Sequence, residues 1–211
     1  MTRLHQLFVS TLYQARLPAS PAQTLNRDLL AASTAIARDD KAGIAWSRNH
    51  GYPGYTSYAS LNDLPRRASA FGALEKVLLP HVGKFARALD LDPAAGRPTL
   101  DSLWINILKP GGRHTAHIHP ASCISGTYYV SVPEGAGTFR LEDPRLPMMM
   151  AAGMRKKNAR AHNKPFIDIL PAEGMLLLWE SYLRHEVMPY RPKTGRAGHN
   201  RISISFNYAL R

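Results

Sequence analysis

Three of the nine histidines lie close together, in the segment 111–120. On a β-strand, residues two apart project from the same face, roughly 6–7 Å apart at Cβ, so the imidazoles of His117 and His119 can converge on one ion. His114 is one step out of phase with them. An isolated His-x-His pair also occurs by chance, and the spacing alone predicts a metal site only together with its context.

The context is a second block, residues 171–185, in which a turn leads into the apolar run Met175 to Trp179 and His185 follows. Sixteen residues later comes Arg201-Ile202-Ser203. Arg201 and Ser203 share one face of a strand, where a guanidinium and a hydroxyl together suit a carboxylate. A surface salt bridge is the alternative role for Arg201.

This order of motifs resembles the 2-oxoglutarate/Fe(II) oxygenase superfamily, and in particular a bacterial and phage branch of it. The resemblance is strong over residues 100–208 and loose over the first hundred. Seven motifs in order are far more specific than any one of them. They are Trp104 to Asn106, His117 to Ser122, Ser125 to Tyr129, Asp143 to Arg145, Pro171 to Gly174, His185 to Val187 and Arg201 to Asn207.

The resemblance implies a double-stranded β-helix in which His117, His119 and His185 hold Fe(II). It also shows a departure, because the superfamily has Asp or Glu where this chain has His119. A facial triad of two histidines and a carboxylate leaves three coordination positions open. A three-histidine site resembles thiol dioxygenases, which use no 2-oxoglutarate. We rank that ligand set first; the alternative is a carboxylate from elsewhere, namely Glu142, Asp143 or Glu180.

The resemblance further implies that Arg201 and Ser203 bind the distal carboxylate of 2-oxoglutarate, and that O2 is the oxidant. Weaker candidates for co-substrate hydrogen bonds are Asn106, Ser125 and either Tyr128 or Tyr129, with Tyr128 placed first. The expected reaction is hydroxylation of an unidentified substrate with release of succinate and CO2. Two rivals stay open: a cupin-type dioxygenase that needs no 2-oxoglutarate, and a metal-stabilised binding module without catalysis.

The elements that must position these residues differ between the two halves of the chain. From residue 100 onward, short β-like runs separated by Gly or Pro predict a mainly β sandwich or barrel, in line with a jelly-roll, cupin-like catalytic core over 100–211. In the last run, apolar residues alternate with Arg201, Ser203, Ser205 and Asn207, so the polar face lies either in water or inside a ligand-binding barrel. The runs are 100–109, 114–119, 124–132, 137–142, 166–170, 174–180 and 201–208.

Residues 1–99 predict a helical and irregular support packed on that core, within one compact domain. A helix should begin with Ser20 as N-cap, carry an apolar stripe from Leu25 to Ile36, and end by Gly43. A second helix over 71–89 must kink or split at Pro80. Residues 48–58 should be irregular.

The chain has 211 residues, 27 Lys and Arg against 15 Asp and Glu, a net charge of +12 and a pI of about 10.1. This field favours anionic partners. The basic residues are dispersed and no nucleic-acid-binding motif accompanies them, so we expect a small-molecule or peptide substrate rather than nucleic acid. One cysteine, no leader-like start and no long apolar run favour a cytoplasmic protein without a membrane partner. A homodimer is left open.

The segment 145–165 is too long for a hairpin loop, and it combines four methionines with the five Lys and Arg residues between Arg155 and Lys164. They predict either a lid that helps to capture an anionic substrate, or a short surface helix.

Overall fold

The computed structural model describes residues 1–192 and 199–211. Most of the helical structure lies in the first half of the chain and most of the strands in the second. The helices are α1 (Ala19–Asp39), α2 (Lys41–Asn49), α3 (Leu64–Arg67), α4 (Ser69–Ala88) and α5 (Leu146–Met149). The strands are β1 (Leu12–Arg16), β2 (Gly54–Thr56), β3 (Pro98–Leu108), β4 (His114–His117), β5 (Ile124–Ser131), β6 (Phe139–Glu142), β7 (Phe166–Ile169), β8 (Met175–Glu180), β9 (His185–Val187) and β10 (Arg201–Leu210).

The strands form two antiparallel sheets that face each other. The larger has the order β1-β8-β5-β10-β3-β2 and the smaller the order β4-β9-β6-β7. Phe139, Leu141 and Val187 of the smaller sheet join Tyr129 and Trp179 of the larger one in a single hydrophobic cluster. The fold is therefore the jelly roll that the resemblance implied.

The larger sheet separates two interiors because successive side chains of a strand point to opposite faces. Along β10, Ile202, Ile204, Phe206 and Tyr208 join the helices α1 and α4 in one hydrophobic cluster. The alternate residues face the space between the sheets, where Arg201, Ser203 and Ser205 line a cavity. The prediction that the polar face lines the inside of the barrel is confirmed, and the alternative prediction of a polar face in water is wrong.

The first helix begins earlier than its predicted cap. Pro18 occupies the N-cap position of α1 and Ser20 lies inside the helix, because Pro18 holds the extended backbone that a cap position requires. Gly43 does not end a helix either. It lies in α2, which the sequence did not reveal because Asp40 ends one helix and caps the next, accepting a hydrogen bond from the backbone N–H of Gly43.

The other elements of the first half agree better. Helix α4 continues through Pro80 rather than splitting there. Residues 48–58 are mostly irregular but include the end of α2 and the short strand β2. Strands β1 and β2 belong to the larger sheet, pairing with β8 and β3 of the second half. The boundary at residue 99 stays a prediction. None of the described helices has the length and hydropathy needed to cross a membrane.

Candidate active site

The three predicted metal ligands lie together between the sheets. His117 is the last residue of β4, His119 follows just beyond the strand, and His185 opens β9 directly opposite His117. One nitrogen from each ring lies within 4.8 Å of the other two. Among the described residues, this is the one group of three or more His, Cys, Asp or Glu side chains that could share an ion.

Backbone carbonyls set the protonation of two of these rings. Nδ1 of His117 lies 2.7 Å from the carbonyl oxygen of Thr115, and Nδ1 of His185 lies 2.8 Å from that of Leu183. A carbonyl can only accept, so each Nδ1 carries the proton and donates it. The lone pair on Nε2 of both rings is then available for a metal.

His119 completes the group from the loop. Its Nε2 is 3.2 Å from Nε2 of His185, and its Nδ1 is 3.4 Å from the side-chain amide of Asn207. Burial, followed by the neighbouring His117, lowers the pKa of His119 to about 4 and that of His185 to about 2. Both rings are therefore neutral at neutral pH, which is the form that binds metal.

The three carboxylates considered as a replacement ligand are engaged elsewhere. Asp143 pairs with Arg145 at 2.8 Å, Glu142 lies 3.4 Å from Arg184, and Glu180 accepts a hydrogen bond from Tyr182. None of them belongs to the histidine group. The geometry thus favours the three-histidine set.

A second polar centre is the buried guanidinium of Arg201. Its Nη1 donates to Ser203 Oγ at 3.4 Å, and its Cζ lies 5.2 Å from the centre of the Tyr129 ring. Within the described part of the chain, neither Arg201 Nε nor the Tyr129 hydroxyl has a hydrogen-bond partner, although both are buried. A buried cation and a hydroxyl left unsatisfied fit an anionic ligand such as the carboxylate of 2-oxoglutarate.

The structure corrects one predicted co-substrate residue. Tyr128 belongs to the helix-side cluster and its hydroxyl donates to Asn26 at 2.7 Å, so it faces away from the cavity. Of these two neighbours, it is Tyr129, the second choice, that lines the cavity. Adjacent residues of β5 point to opposite faces, and only one of the two tyrosines can reach the cavity.

Asn106 and Ser125 lie on the cavity side of the sheet in supporting positions. Asn106 accepts hydrogen bonds from Thr56 and Tyr52 and donates to Ser205 Oγ at 3.0 Å. Ser125 donates to Asn207 at 2.8 Å and contacts Ser181, so it supports the amide that lies beside His119.

Two further cavity residues were missed from the sequence. The register shifts within β4, because the chain advances three residues from His114 to His117 while β9 advances only two, from Val187 to His185. His114 therefore lies on the same side as His117. His114 is hydrogen-bonded to the hydroxyl of Tyr52. Burial, then the charge of Arg201, lowers the pKa of His114 to about 3, and burial raises the pKa of Tyr52. Nothing in residues 48–58 distinguished Tyr52, and a bulge has no signature in a single sequence.

One cavity of about 660 Å³ joins these centres and is lined by the histidine group, Arg201, Ser203 and Tyr129. A family model described as "Putative 2OG-Fe(II) oxygenase" matches residues 102–207. That match covers half of the chain and every motif residue just described. The chain belongs to the 2OG-Fe(II) oxygenase family.

Solved structures with the same fold extend beyond the matched region. A Pseudomonas putida prolyl-4-hydroxylase is 17% identical with a TM-score of 0.56, over 97% of this oxygenase and 95% of that chain. HygX from Streptomyces hygroscopicus, with nickel and 2-oxoglutarate bound, is 12% identical with a TM-score of 0.56, over 95% and 82%. The epimerase SnoN, in complex with Fe3+, alpha ketoglutarate and nogalamycin RO, is 12% identical with a TM-score of 0.61, over 95% and 79%. At these identities the likeness concerns the fold.

A search of curated proteins found no match to the chain. The family uses Fe(II), 2-oxoglutarate and O2, and the two polar centres of the cavity suit the first two of these.

Proposed function

We propose that this oxygenase hydroxylates a small-molecule or peptide substrate, with Fe(II) held by His117, His119 and His185. When bound, Fe(II) and 2-oxoglutarate supply the activation of O2, and the co-substrate leaves as succinate and CO2. The chain's own residues bind and orient these groups. The carbonyls of Thr115 and Leu183 hold two of the imidazoles in the ligating tautomer.

The co-substrate side of the site is built around Arg201. Its guanidinium offers a charged donor to a carboxylate, and Ser203 Oγ and the Tyr129 hydroxyl supply neutral donors from the same side of the sheet. Asn106 and Ser125 act at one remove, through Ser205 and Asn207. Burial keeps water from competing for these hydrogen bonds.

The observation that carries the proposal is the shared cavity. The guanidinium of Arg201, whose buried Nε has no partner among the described residues, lines the same cavity as the three imidazoles. A co-substrate that binds Arg201 at one end can therefore reach the metal at the other. A dioxygenase without 2-oxoglutarate would leave this buried cation without a ligand, and so would a metal-stabilised binding module. Both rivals are therefore less well supported than the hydroxylase.

The test is replacement of Arg201 with Met, which keeps much of the side-chain volume and removes the charge. Hydrogen bonds to a charged group are worth about 1.5–3 kcal/mol, so we expect the KM for 2-oxoglutarate to rise roughly 10- to 150-fold. Succinate release with Fe(II) and ascorbate measures turnover. Anaerobic titration of the charge-transfer absorption between Fe(II) and 2-oxoglutarate measures co-substrate binding. The exposed Arg184→Met is the matched control.

An unchanged KM in Arg201→Met would contradict the assignment of Arg201. Thiol oxidation by O2 without 2-oxoglutarate, together with no succinate release, would favour the three-histidine dioxygenase instead.

Finer points of the proposal concern the substrate and the setting. Arg113 lines the cavity, and its charge supports an anionic substrate. The methionine-rich segment 145–165 includes α5 and borders a separate surface groove, without a residue among those that line the cavity, so it does not support a lid in this conformation. A cytoplasmic location and a homodimer stay predictions, for fractionation and sedimentation to test.

A further inference from the structure

A row of aromatic rings lines one side of the cavity and ends at the histidine group. Trp46 on α2 and His50, the residue just after α2 ends, stack with ring centres 4.2 Å apart and planes at 14°. Trp46 contacts Tyr58 edge to face at 6.4 Å, and Tyr58 contacts Trp104 at 5.3 Å. The Trp104 ring lies 5.7 Å from that of His119. We call Trp46, Tyr58 and Trp104 the aromatic wall.

Trp46 and Tyr58 lie outside the buried core, whereas Trp104 is 6% exposed and borders both the core and the cavity. Neither hydrophobic cluster of the fold includes any of its three residues. Tyr58 is 56% exposed, and all three side chains line the cavity. Large apolar rings that face an open cavity offer contact area to a ligand.

Hydrogen bonds fix the backbone that carries Trp46 and Tyr58. The carboxylate of Asp40 caps α2 and accepts from Tyr55 and Ser60, at 2.8 and 2.5 Å. The backbone N–H of Thr56 donates to Ser47 on α2, and that of Tyr58 donates to Thr56 Oγ1. A preorganised aromatic surface loses little conformational entropy on binding.

Charge restricts what the wall can bind. Aromatic faces attract cations as well as other rings. The described residues that line this cavity include Arg113 and Arg201 but no Asp or Glu. With Arg201 assigned to the co-substrate carboxylate, Arg113 remains as a positive charge with no acidic side chain among the described lining residues, so a cationic ligand would be repelled and an uncharged or anionic ligand would not.

We propose that the substrate presents a planar ring without positive charge, which stacks on the aromatic wall beside the metal site. This inference rests on the proposed function of the same cavity. Trp46 and Tyr58 lie outside residues 102–207, the region matched by the family model. Substrate selection by the wall therefore depends largely on the first half of the chain.

The test compares four small probes on the Zn(II)-loaded protein saturated with 2-oxoglutarate, which cannot turn over. Ligand-observed NMR titration gives Kd for 3-phenylpropionate, its neutral amide, the acyclic acid hexanoate, and the cation 3-phenylpropylamine. Aromatic contacts are worth about 0.5–1.5 kcal/mol beyond their area, so both uncharged and anionic ring probes should bind about threefold to tenfold more tightly than hexanoate.

Substitutions localise the effect. Tyr58→Leu and Trp46→Leu should each remove the preference for a ring, while Tyr182→Leu, at a tyrosine that is 51% exposed and does not line the cavity, should keep it. Equal binding of ring and acyclic acids, tighter binding of the cation, no binding of any ring probe, or a preference that survives Tyr58→Leu would overturn the inference. Binding of 2-oxoglutarate is measured on the same samples, so its loss would count against the proposed function instead.

Discussion

At the scale of single residues, the site depends on histidines whose Nδ1 atom already contacts another group of the protein. His117 and His185 each donate Nδ1–H to a backbone carbonyl, and the side-chain amide of Asn207 lies beside His119. These contacts fix ring orientation as well as tautomer. The imidazoles are thus prepared for a metal by local backbone geometry rather than by acidic partners.

His185→Ala should remove most of the bound Fe(II), because it takes one of three ligands from a site with no described carboxylate to replace it. We expect Fe(II) affinity to fall by more than about 100-fold, beyond the loss typical of a supporting residue. Anaerobic metal analysis after desalting measures the iron per chain. His114→Ala is the control and should retain iron. Stoichiometric iron in the His185→Ala protein would contradict the ligand assignment.

Residue spacing together with the family resemblance was enough to predict that the three histidines and Arg201 lie around one site, yet not what surrounds them. Tyr128 was chosen over Tyr129 although the polar residues Ser125, Thr127 and Ser131 occupy the odd positions of β5, a phase that places Tyr129 on the polar face. His114 was placed out of phase because the shift in β4 is a property of its pairing with β9. Both errors concern the face of a strand on which a residue lies: the alternation in β5 already indicates it, whereas in β4 the pairing with β9 decides it.

At the scale of elements, a few side-chain contacts position the strands that carry the site and the helices that support them. The alternation in β10 was strong enough to predict its two faces from sequence. The break between α1 and α2 was not, because one residue serves both helices: the backbone N–H of Asp40 donates to Ile36 in α1, and its carboxylate caps α2. The carboxylate of Asp40 accepts from Gly43 in α2 and from Tyr55 and Ser60, which lie on either side of Tyr58.

Asp40→Ala should lower the free energy of unfolding by about 1–2 kcal/mol, as expected for loss of a helix cap. Burial alone would raise the pKa of Asp40, but hydrogen bonds from Ser60, Gly43 and Tyr55 outweigh it and the pKa is lowered. The carboxylate therefore stabilises the fold above its unfolded pKa of about 3.9 and loses this effect as the pH falls through the lower folded value.

The difference in the free energy of unfolding between the native protein and Asp40→Ala should accordingly be constant near neutral pH and shrink below about pH 4. Urea denaturation at several pH values measures it. The exposed Asp39→Ala is the neighbouring control. A difference that grows on acidification would have the wrong sign for this account.

Gly126, in the Ser125 to Tyr129 motif, lies where β5 packs against the buried ring of Phe206. A Cβ there would lie 2.3 Å from Phe206 Cε2 and 2.7 Å from Leu178 Cδ2. Gly126→Ala should therefore cost about 1–3 kcal/mol of stability through overpacking. Thermal unfolding compares it with Gly153→Ala, where a Cβ meets nothing within 4 Å. Rescue of Gly126→Ala by Phe206→Leu would identify the ring as the cause, and a neutral Gly126→Ala would refute it.

At the scale of the whole molecule, the helices of the first half cover one face of the larger sheet. Leu29, Leu74 and Phe85 are fully buried in the same cluster as Ile105 and Ile204. Exposing that face would leave a large apolar surface in water. The sequence predicted helices packed on a β core, but not that β1 and β2 would extend the sheet itself.

A chain that begins at residue 100 should consequently fail to fold as a soluble monomer. It loses two strands and the helices that bury the outer face of the sheet. Circular dichroism and dye binding to exposed apolar surface measure the outcome, with the full chain as control. Cooperative unfolding of the truncated protein, together with Fe(II) binding, would instead establish residues 100–211 as an independent unit.

Strand β10 imposes an unusual limit on how this chain can vary in evolution. Its odd-numbered positions carry Arg201 and Ser203, and its even-numbered ones carry the apolar residues packed under the helices. A single-residue deletion just before Arg201 that pulled the strand along by one place would exchange the two sets, burying the arginine under the helices and filling the cavity with isoleucine. Insertions and deletions between β9 and β10 are therefore tolerable only where they leave the register of β10 unchanged.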